Sequence, residues 1–365
     1  MDFALTAEQR LMQDSMAGVL DRVAPLERLR AFAGSAEPRA NDVWTALAEI
    51  GVPGMLLGED VGGLGMTLLD AALTAESLGA HAAPAPFLSG AVLAPLAITL
   101  AGSEAQQQTW GPKLASGEAA AGVAIHEAVT GARDGAGVQA QNRRLNGSSL
   151  FVLDAVGADI LIVADQAKEL HLLDGADVEI VPLATIDATR RFAEVRFDGA
   201  AAEPLGGGCG ALDRLRDAAF IMLAADMLGA SQTMLDKAVA YAQERRQFGR
   251  PIGSFQAVKH MCAEMAAELE PARALVWYAA YAFDAVPAES PLVAAHAKAH
   301  LAEVSRFVAR TATEAHGGIG FTDLLGLHFW FKRVGLDRQL FGGPEQVRAH
   351  AATIQGLGPT RASAA

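Results

Sequence analysis

The chain has 365 residues, 51% of them hydrophobic and 19% charged, a balance that excludes disorder and suits two or three domains at about 150 residues each. Its net charge of −13 excludes a nucleic-acid binder and disfavours an anionic membrane surface, because both are recognised through Lys and Arg. Two cysteines, Cys209 and Cys262, build no disulfide framework and fit a reducing cytosol.

The opening MDFALTAEQR is acidic and lacks an apolar core, so it does not read as a signal peptide. No run of about 18 apolar residues escapes a charge or a helix breaker. The expectation is a cytoplasmic protein with neither membrane nor nucleic acid as partner.

The first third reads as helices. Thr6 and Gln9 form a capping-box pattern, and Met12, Met16, Val19, Leu20 and Val23 recur at helical spacing up to Pro25. Asn41 can cap a second helix, with Val43, Leu47 and Ile50 on one face and Gly51 at its end. A third runs from Thr67 to Leu78 and is expected to close at Gly79, and Ser103 with Gln106 opens a fourth. From about Gly122 the period shortens. Leu150 to Leu153, Ile160 to Val163, Leu170 to Leu173, Val178 to Val181 and Phe192 to Phe197 are short apolar runs between Gly and Asp turns, which predicts a small β sandwich or barrel. Val138 and Ala140 begin another strand, and Asn146-Gly147 predicts a hairpin turn of positive φ. The formal glycosylation sequon Asn146-Gly147-Ser148 falls on the same turn.

After Gly206-Gly207-Gly208, read as a hinge, the helical period returns. Ala218 to Tyr241 carries only Asp226, Asp236 and Lys237 as charges, which places it inside a bundle or an oligomer interface. Gln256 to Phe283 and Pro291 to His316 follow. The fold expected is mainly α with a central β domain: an N-terminal helical bundle over residues 1–120, a β sandwich or barrel over 121–205, and a C-terminal helical bundle over 206–365. The Ala-rich tail Thr360 to Ala365 is expected to fray.

Few motifs carry chemistry. His296 and His300 stand four apart on a helix, but no Glu follows His296 as a zinc protease requires, so no metal site is expected. Neither a Gly-x-Ser-x-Gly elbow nor a phosphate-binding lysine loop is present. Cys262 lies on an apolar helical face and reads as core. Two segments say more. Glu244-Arg245-Arg246-Gln247-Phe248-Gly249-Arg250-Pro251-Ile252-Gly253-Ser254-Phe255-Gln256 joins two helices through a turn with three arginines, which in so acidic a chain suits an anion. His316-Gly317-Gly318-Ile319-Gly320-Phe321 ends a helix where a backbone can approach a ligand closely.

In this order, within a helix–sheet–helix chain, the two segments resemble the acyl-CoA dehydrogenase family. The resemblance extends to Leu5-Thr6-Ala7-Glu8-Gln9-Arg10, to Gly54 through Gly65, to Trp110 through Gly117 and to Phe197-Asp198-Gly199. It implies a tetramer of subunits with an N-terminal helical, a middle β and a C-terminal four-helix domain. It also implies α,β-desaturation of an acyl-CoA, in which a glutamate takes the α-proton, FAD takes the β-hydride, and electrons pass to an electron-transfer flavoprotein. Arg245, Phe248 and Gln256 would contact the ADP part of an FAD shared across a subunit interface, with Gly317 and Gly318 against its pyrophosphate. Asp217 matches a family residue near the bound thioester, where it could hydrogen-bond the substrate's pantetheine.

The departures from the family pattern are as informative. Glu314 replaces the usual Gln two residues before His316. Thr-Glu-Pro-Gly-Ala-Gly-Ser-Asp becomes His126-Glu127-Ala128-Val129-Thr130-Gly131-Ala132-Arg133-Asp134. The flavin-covering Trp falls near Phe151, and the Thr that follows it near Leu153. The two usual positions of the catalytic glutamate fall at Phe220 and Gly342, which leaves Glu345 as a weak candidate base. The retained parts serve a neighbour's cofactor and the eroded parts serve this chain's own. That pattern implies the base-lacking subunit of an α2β2 acyl-CoA dehydrogenase, resembling those of bacterial steroid side-chain breakdown. A self-sufficient homotetramer with a displaced base and a non-catalytic interaction subunit are the alternatives.

Overall fold

Thr6 does what its spacing predicts: its hydroxyl accepts from the Gln9 amide at 3.1 Å and the Gln9 side chain accepts from the Thr6 N–H, opening α1 (Ala7–Val23). The computed structural model describes residues 4–357, Asp134 and the side chain of Cys209 excepted; the tail Thr360 to Ala365 and the Asp134 position lie outside the described residues. Pro25 ends α1 as expected but also serves as N-cap of an unforeseen helix, α2 (Leu26–Ala33), which buries Leu29 and Phe32. The fixed φ of proline is compatible with either role. In α3 (Asn41–Glu49) the cap is Ala40. Asn41 is already helical, and its side-chain oxygen accepts from Arg39 at 2.9 Å instead.

The helix α4 (Leu68–Ala80) starts on a Thr67–Asp70 capping box, but it does not stop at Gly79. That glycine lies inside the helix because α8 (Gly208–Glu244) crosses there. A Cβ on Gly79 would stand 2.1 Å from the Asp226 carbonyl oxygen, and one on Gly229 would stand 1.8 Å from that of Glu76. Glycine on both helices allows the backbones to touch. A π-helical turn, Leu88–Leu93, runs into α5 (Ala94–Ala101), and α6 (Glu104–Ala115) opens on the expected Ser103–Gln106 box.

The middle of the chain is an eight-stranded sheet. Its strands are β1 (Ala121–Ala124), β2 (Gly137–Gln141), β3 (Arg144–Leu153), β4 (Ile160–Ala164), β5 (Leu170–Asp174), β6 (Glu179–Leu183), β7 (Phe192–Ala201) and β8 (Glu203–Pro204). The order is β6-β7-β3-β1-β4-β5-β8, with β2 added to β3. A short helix, α7 (His126–Thr130), follows β1. Strand alternation gives the sheet two buried faces. Ile160 and Ile162 of β4 join the helical core, whereas Leu161 and Val163 meet Leu145, Val152, Val195 and Phe197 in the sheet's own core.

The hairpin turn is not at Asn146-Gly147. The β2–β3 register pairs Gln141 with Arg144, so the turn is Asn142-Arg143, both left-handed at φ 51° and 60°. Asn146 sits inside β3, where its side-chain oxygen accepts from the Gly199 N–H at 2.9 Å beside a register shift against β7. The Asn-Gly pair accommodates a bulge there and makes no turn.

Beyond the sheet, α8 is followed by a two-stranded hairpin, β9 (Arg246–Gln247) and β10 (Arg250–Pro251), then by α9 (Gln256–Ala285), α10 (Ser290–His316), α11 (His328–Gln339) and α12 (Pro344–Ile354). Residues Gly210–Glu244 are long and apolar enough to cross a membrane, which the sequence had not suggested, but 89% of their most apolar stretch is buried within the chain. Packing against α4, α9, α10 and α11 accounts for that apolarity.

Candidate functional site

A cleft of about 360 Å³ opens between the sheet and the C-terminal helices. One wall is α7 with the loop behind it, carrying His126, Thr130 and Arg133, together with Phe151 of β3. The other is the end of α11 and the start of α12, carrying Leu336, Gln339, Leu340, Gly342, Gly343 and Gln346. The walls meet through aromatic rings: His126 lies 5.3 Å from Phe151 and 5.9 Å from Phe341. The Arg133 guanidinium stacks 5.3 Å above Phe151. The Gln346 amide donates to the Thr130 carbonyl at 2.7 Å and ties α12 to α7.

Glu127 turns away from the cleft, accepting from the Ser149 hydroxyl and the Leu150 N–H, each at 2.7 Å. His126 is 9% exposed and its Nδ1 has no partner. Burial, with Arg133 nearby, lowers its pKa against the opposing pull of Glu127, so the imidazole is neutral at pH 7.

Among the described residues no carboxylate lines this cleft. Phe220 is buried in α8, and Gly342 contributes only backbone. The Glu345 side chain is 76% exposed and stands 3.7 Å from Arg338, beside the lining residue Gly343 but not itself in the lining. Leu153 is buried among apolar neighbours, and the Thr130 hydroxyl is engaged with the His126 carbonyl at 2.9 Å. Asp217 is almost fully buried on α8, paired to Arg216 at 2.8 Å, with burial raising its pKa.

The arginine segment lies elsewhere. Arg245 caps α8, and the turn between β9 and β10 is Phe248-Gly249, both left-handed at φ 52° and 78°. This presents Phe248 at 92% exposure, edge-on to Phe255 at 6.1 Å, while Arg250 stacks 4.1 Å over Phe255. Arg245, Arg246, Arg250 and Gln256 are exposed, and none of the three arginines has an ion-pair partner among the described residues. Tyr241, one turn before Arg245, lies 4.9 Å from His316 at the end of α10. The structure therefore gathers the hairpin and Gly317-Gly318 at one end of the bundle. Both glycines are exposed, with open space beside them, and the buried Nε2 of His316 is unpartnered.

Free guanidiniums, an exposed ring and open glycines fit the anionic diphosphate end of a dinucleotide. None of these residues lines the cleft. Glu314 is also exposed at this end. In the cleft itself, a flavin ring would meet His126 and Phe151 and no free hydroxyl of Thr130, which is engaged with the His126 carbonyl, so the fit is to the phosphates and not to the ring.

A buried ion cluster behind the cleft was not foreseen. Asp226 accepts from Arg333 at 2.8 and 2.7 Å and from Arg190 at 2.8 Å. Arg190 also bonds Asp337, and the Lys298 ammonium donates to the Asp337 carbonyl. Burial alone would raise Asp226, but the two guanidiniums hold it near 2; burial pushes Lys298 down to about 7. The one signal in the sequence was a lone Asp in an otherwise apolar stretch.

Comparison with known proteins agrees with this architecture. Residues 6–118 match the model of the acyl-CoA dehydrogenase N-terminal domain, and residues 213–354 match that of the C-terminal domain. The acyl-CoA dehydrogenase IpdE2 of Mycobacterium tuberculosis is 32% identical over 93% of this chain and 95% of its own. The ChsE4–ChsE5 complex from Mycobacterium tuberculosis aligns with a TM-score of 0.90 at 26% identity, over 99% of this chain and 100% of the matched one. A steroid ACAD, Tcur3481–Tcur3483, aligns with a TM-score of 0.88 at 28% identity, over 96% and 98%.

Proposed function

The chain belongs to the acyl-CoA dehydrogenase family, whose members are FAD flavoproteins, and from that premise we propose that it is the base-lacking subunit of a heteromeric acyl-CoA dehydrogenase. The observation that carries this reading is the separation of the two halves of the machinery. Among the described residues no carboxylate lines the cleft, while Arg245, Arg246, Arg250 and Phe248 stand exposed, the arginines without ion pairs, at the far end of α8. Such a hairpin would grip the diphosphate of an FAD whose ring is seated on a partner subunit. When bound, that cofactor accepts the hydride from the substrate's β-carbon. The α-proton would go to a glutamate of the partner, since Glu345 is 76% exposed, stands beside Arg338 and is not in the cleft lining.

The likeness to the ChsE4–ChsE5 complex and to a steroid ACAD supports a heteromer acting on a steroid-derived or other acyl-CoA, with electrons leaving to an electron-transfer flavoprotein. Purifying the chain alone, and together with an acyl-CoA dehydrogenase homologue encoded beside it, tests the reading. A colourless lone chain and a yellow, active complex are expected; stoichiometric FAD and turnover by the lone chain would overturn it.

A further inference from the structure

We propose that the cleft between α7 and α12 is a binding site for a small carboxylate with a flat apolar body, held by Arg133 and His126. The proposal rests on the reading that no flavin ring is seated there. In a chain of net charge −13, Arg133 is the only charged residue of the described lining; of the described acids beside it, Glu127 is consumed by Ser149 and Leu150, and Glu345 stands 3.7 Å from Arg338. An anion is therefore drawn to this cleft and repelled by most of the remaining surface.

His126, which like Arg133 stands 5.3 Å from the Phe151 ring, is nine-tenths buried and its Nδ1 lacks a protein partner, a cost a native interior rarely carries without reason. A neutral imidazole can donate to a carboxylate oxygen from one nitrogen, adding a second directional contact to that of Arg133. Phe151, Leu336 and Leu340 supply apolar walls, and the stack of Arg133 on Phe151 holds the cation above a flat slot. The volume, about 360 Å³, is at the small end of ligand pockets.

Benzoate is the probe and benzamide its neutral isostere, titrated into the purified chain by calorimetry and followed through the imidazole carbon signal of His126, assigned with His126→Phe. Saturable benzoate binding that moves this signal is expected, with benzamide and the Arg133→Gln variant each weaker by about tenfold or more. Absence of benzoate binding, equal affinity for benzamide, or full affinity in Arg133→Gln would each overturn the site. The lone chain's FAD content, read from its visible spectrum, is independent of this titration. A colourless chain that ignores benzoate defeats this inference alone, whereas a yellow one defeats the functional reading beneath it.

Discussion

The guanidinium of Arg333 closes a two-pronged ion pair on Asp226, 2.8 and 2.7 Å, in the interior between α11 and α8. Arg190, from the loop before β7, enters the same carboxylate from the sheet side. One acid on α8 thus joins the β domain to the C-terminal helices. Replacing it, Asp226→Ala, leaves two buried cations without their shared partner, and is expected to cost about 3–5 kcal/mol in urea unfolding. A loss under 1 kcal/mol would mean that the cluster is not structural.

The arginine hairpin should behave in the opposite way. Arg245, Arg246 and Arg250 are exposed and make no ion pairs among the described residues. The double variant Arg245→Ala, Arg250→Ala is expected to change stability by less than about 0.5 kcal/mol, yet to release FAD from the heteromeric complex. Flavin retained after gel filtration reads this directly; full retention would remove the hairpin from the cofactor site.

Glu345 separates the competing mechanisms. Its carboxylate is 76% exposed next to Arg338, so Glu345→Gln in the complex is expected to leave kcat within about twofold of the parent. Complete loss of turnover would restore the displaced-base alternative.

The crossing of α4 and α8 leaves no room for a methyl group at Gly229, whose Cβ would meet the Glu76 carbonyl at 1.8 Å. Because the obstacle is backbone on a neighbouring helix, Gly229→Ala is expected to destabilise by about 3 kcal/mol, against the usual gain from Ala in a helix. Thermal unfolding of the variant checks the sign.

Asp154 provides a pH signature. Burial lifts its pKa from 3.8 to about 6, with the Ser89 hydroxyl at 2.5 Å opposing. A raised folded pKa means that the folded chain holds this proton more tightly. The stabilisation is complete below about pH 4 and is lost as pH rises through 6. Asp154→Asn should therefore match the parent near pH 4 and exceed it at pH 8, by on the order of 2 kcal/mol. Equal stability at both pH values would show that the carboxyl is not desolvated.

Much of the architecture follows from local rules that a sequence displays. Capping boxes at Thr6, Thr67 and Ser103, the near-uniform apolarity of α8, the 3.6-residue period of α9 and α10 and the short apolar runs of β4 to β7 depend on neighbours within a few positions. So does the make-up of the arginine segment, whose three guanidiniums and two glycines within a few residues are the ground of the proposed diphosphate grip. What is absent was equally legible: a phenylalanine at 220 and a glycine at 342 cannot abstract a proton in any fold.

Partnership between distant residues was decided only by the tertiary structure. Gly79 reads as a helix end, but α8 crosses the helix there, and Asn146-Gly147 reads as a turn, but the Asn146 side-chain oxygen accepts from Gly199 of β7. Asp226 meets Arg190, Arg333 and, through Arg190, Asp337 only because the sheet, α8 and α11 close on one point. His126, too, is a buried imidazole without a partner only because Phe151 and Phe341 arrive from opposite domains. A chain determines its own periodicity and its own chemistry, but which charges become buried together is set by packing, where the low dielectric turns proximity into energy.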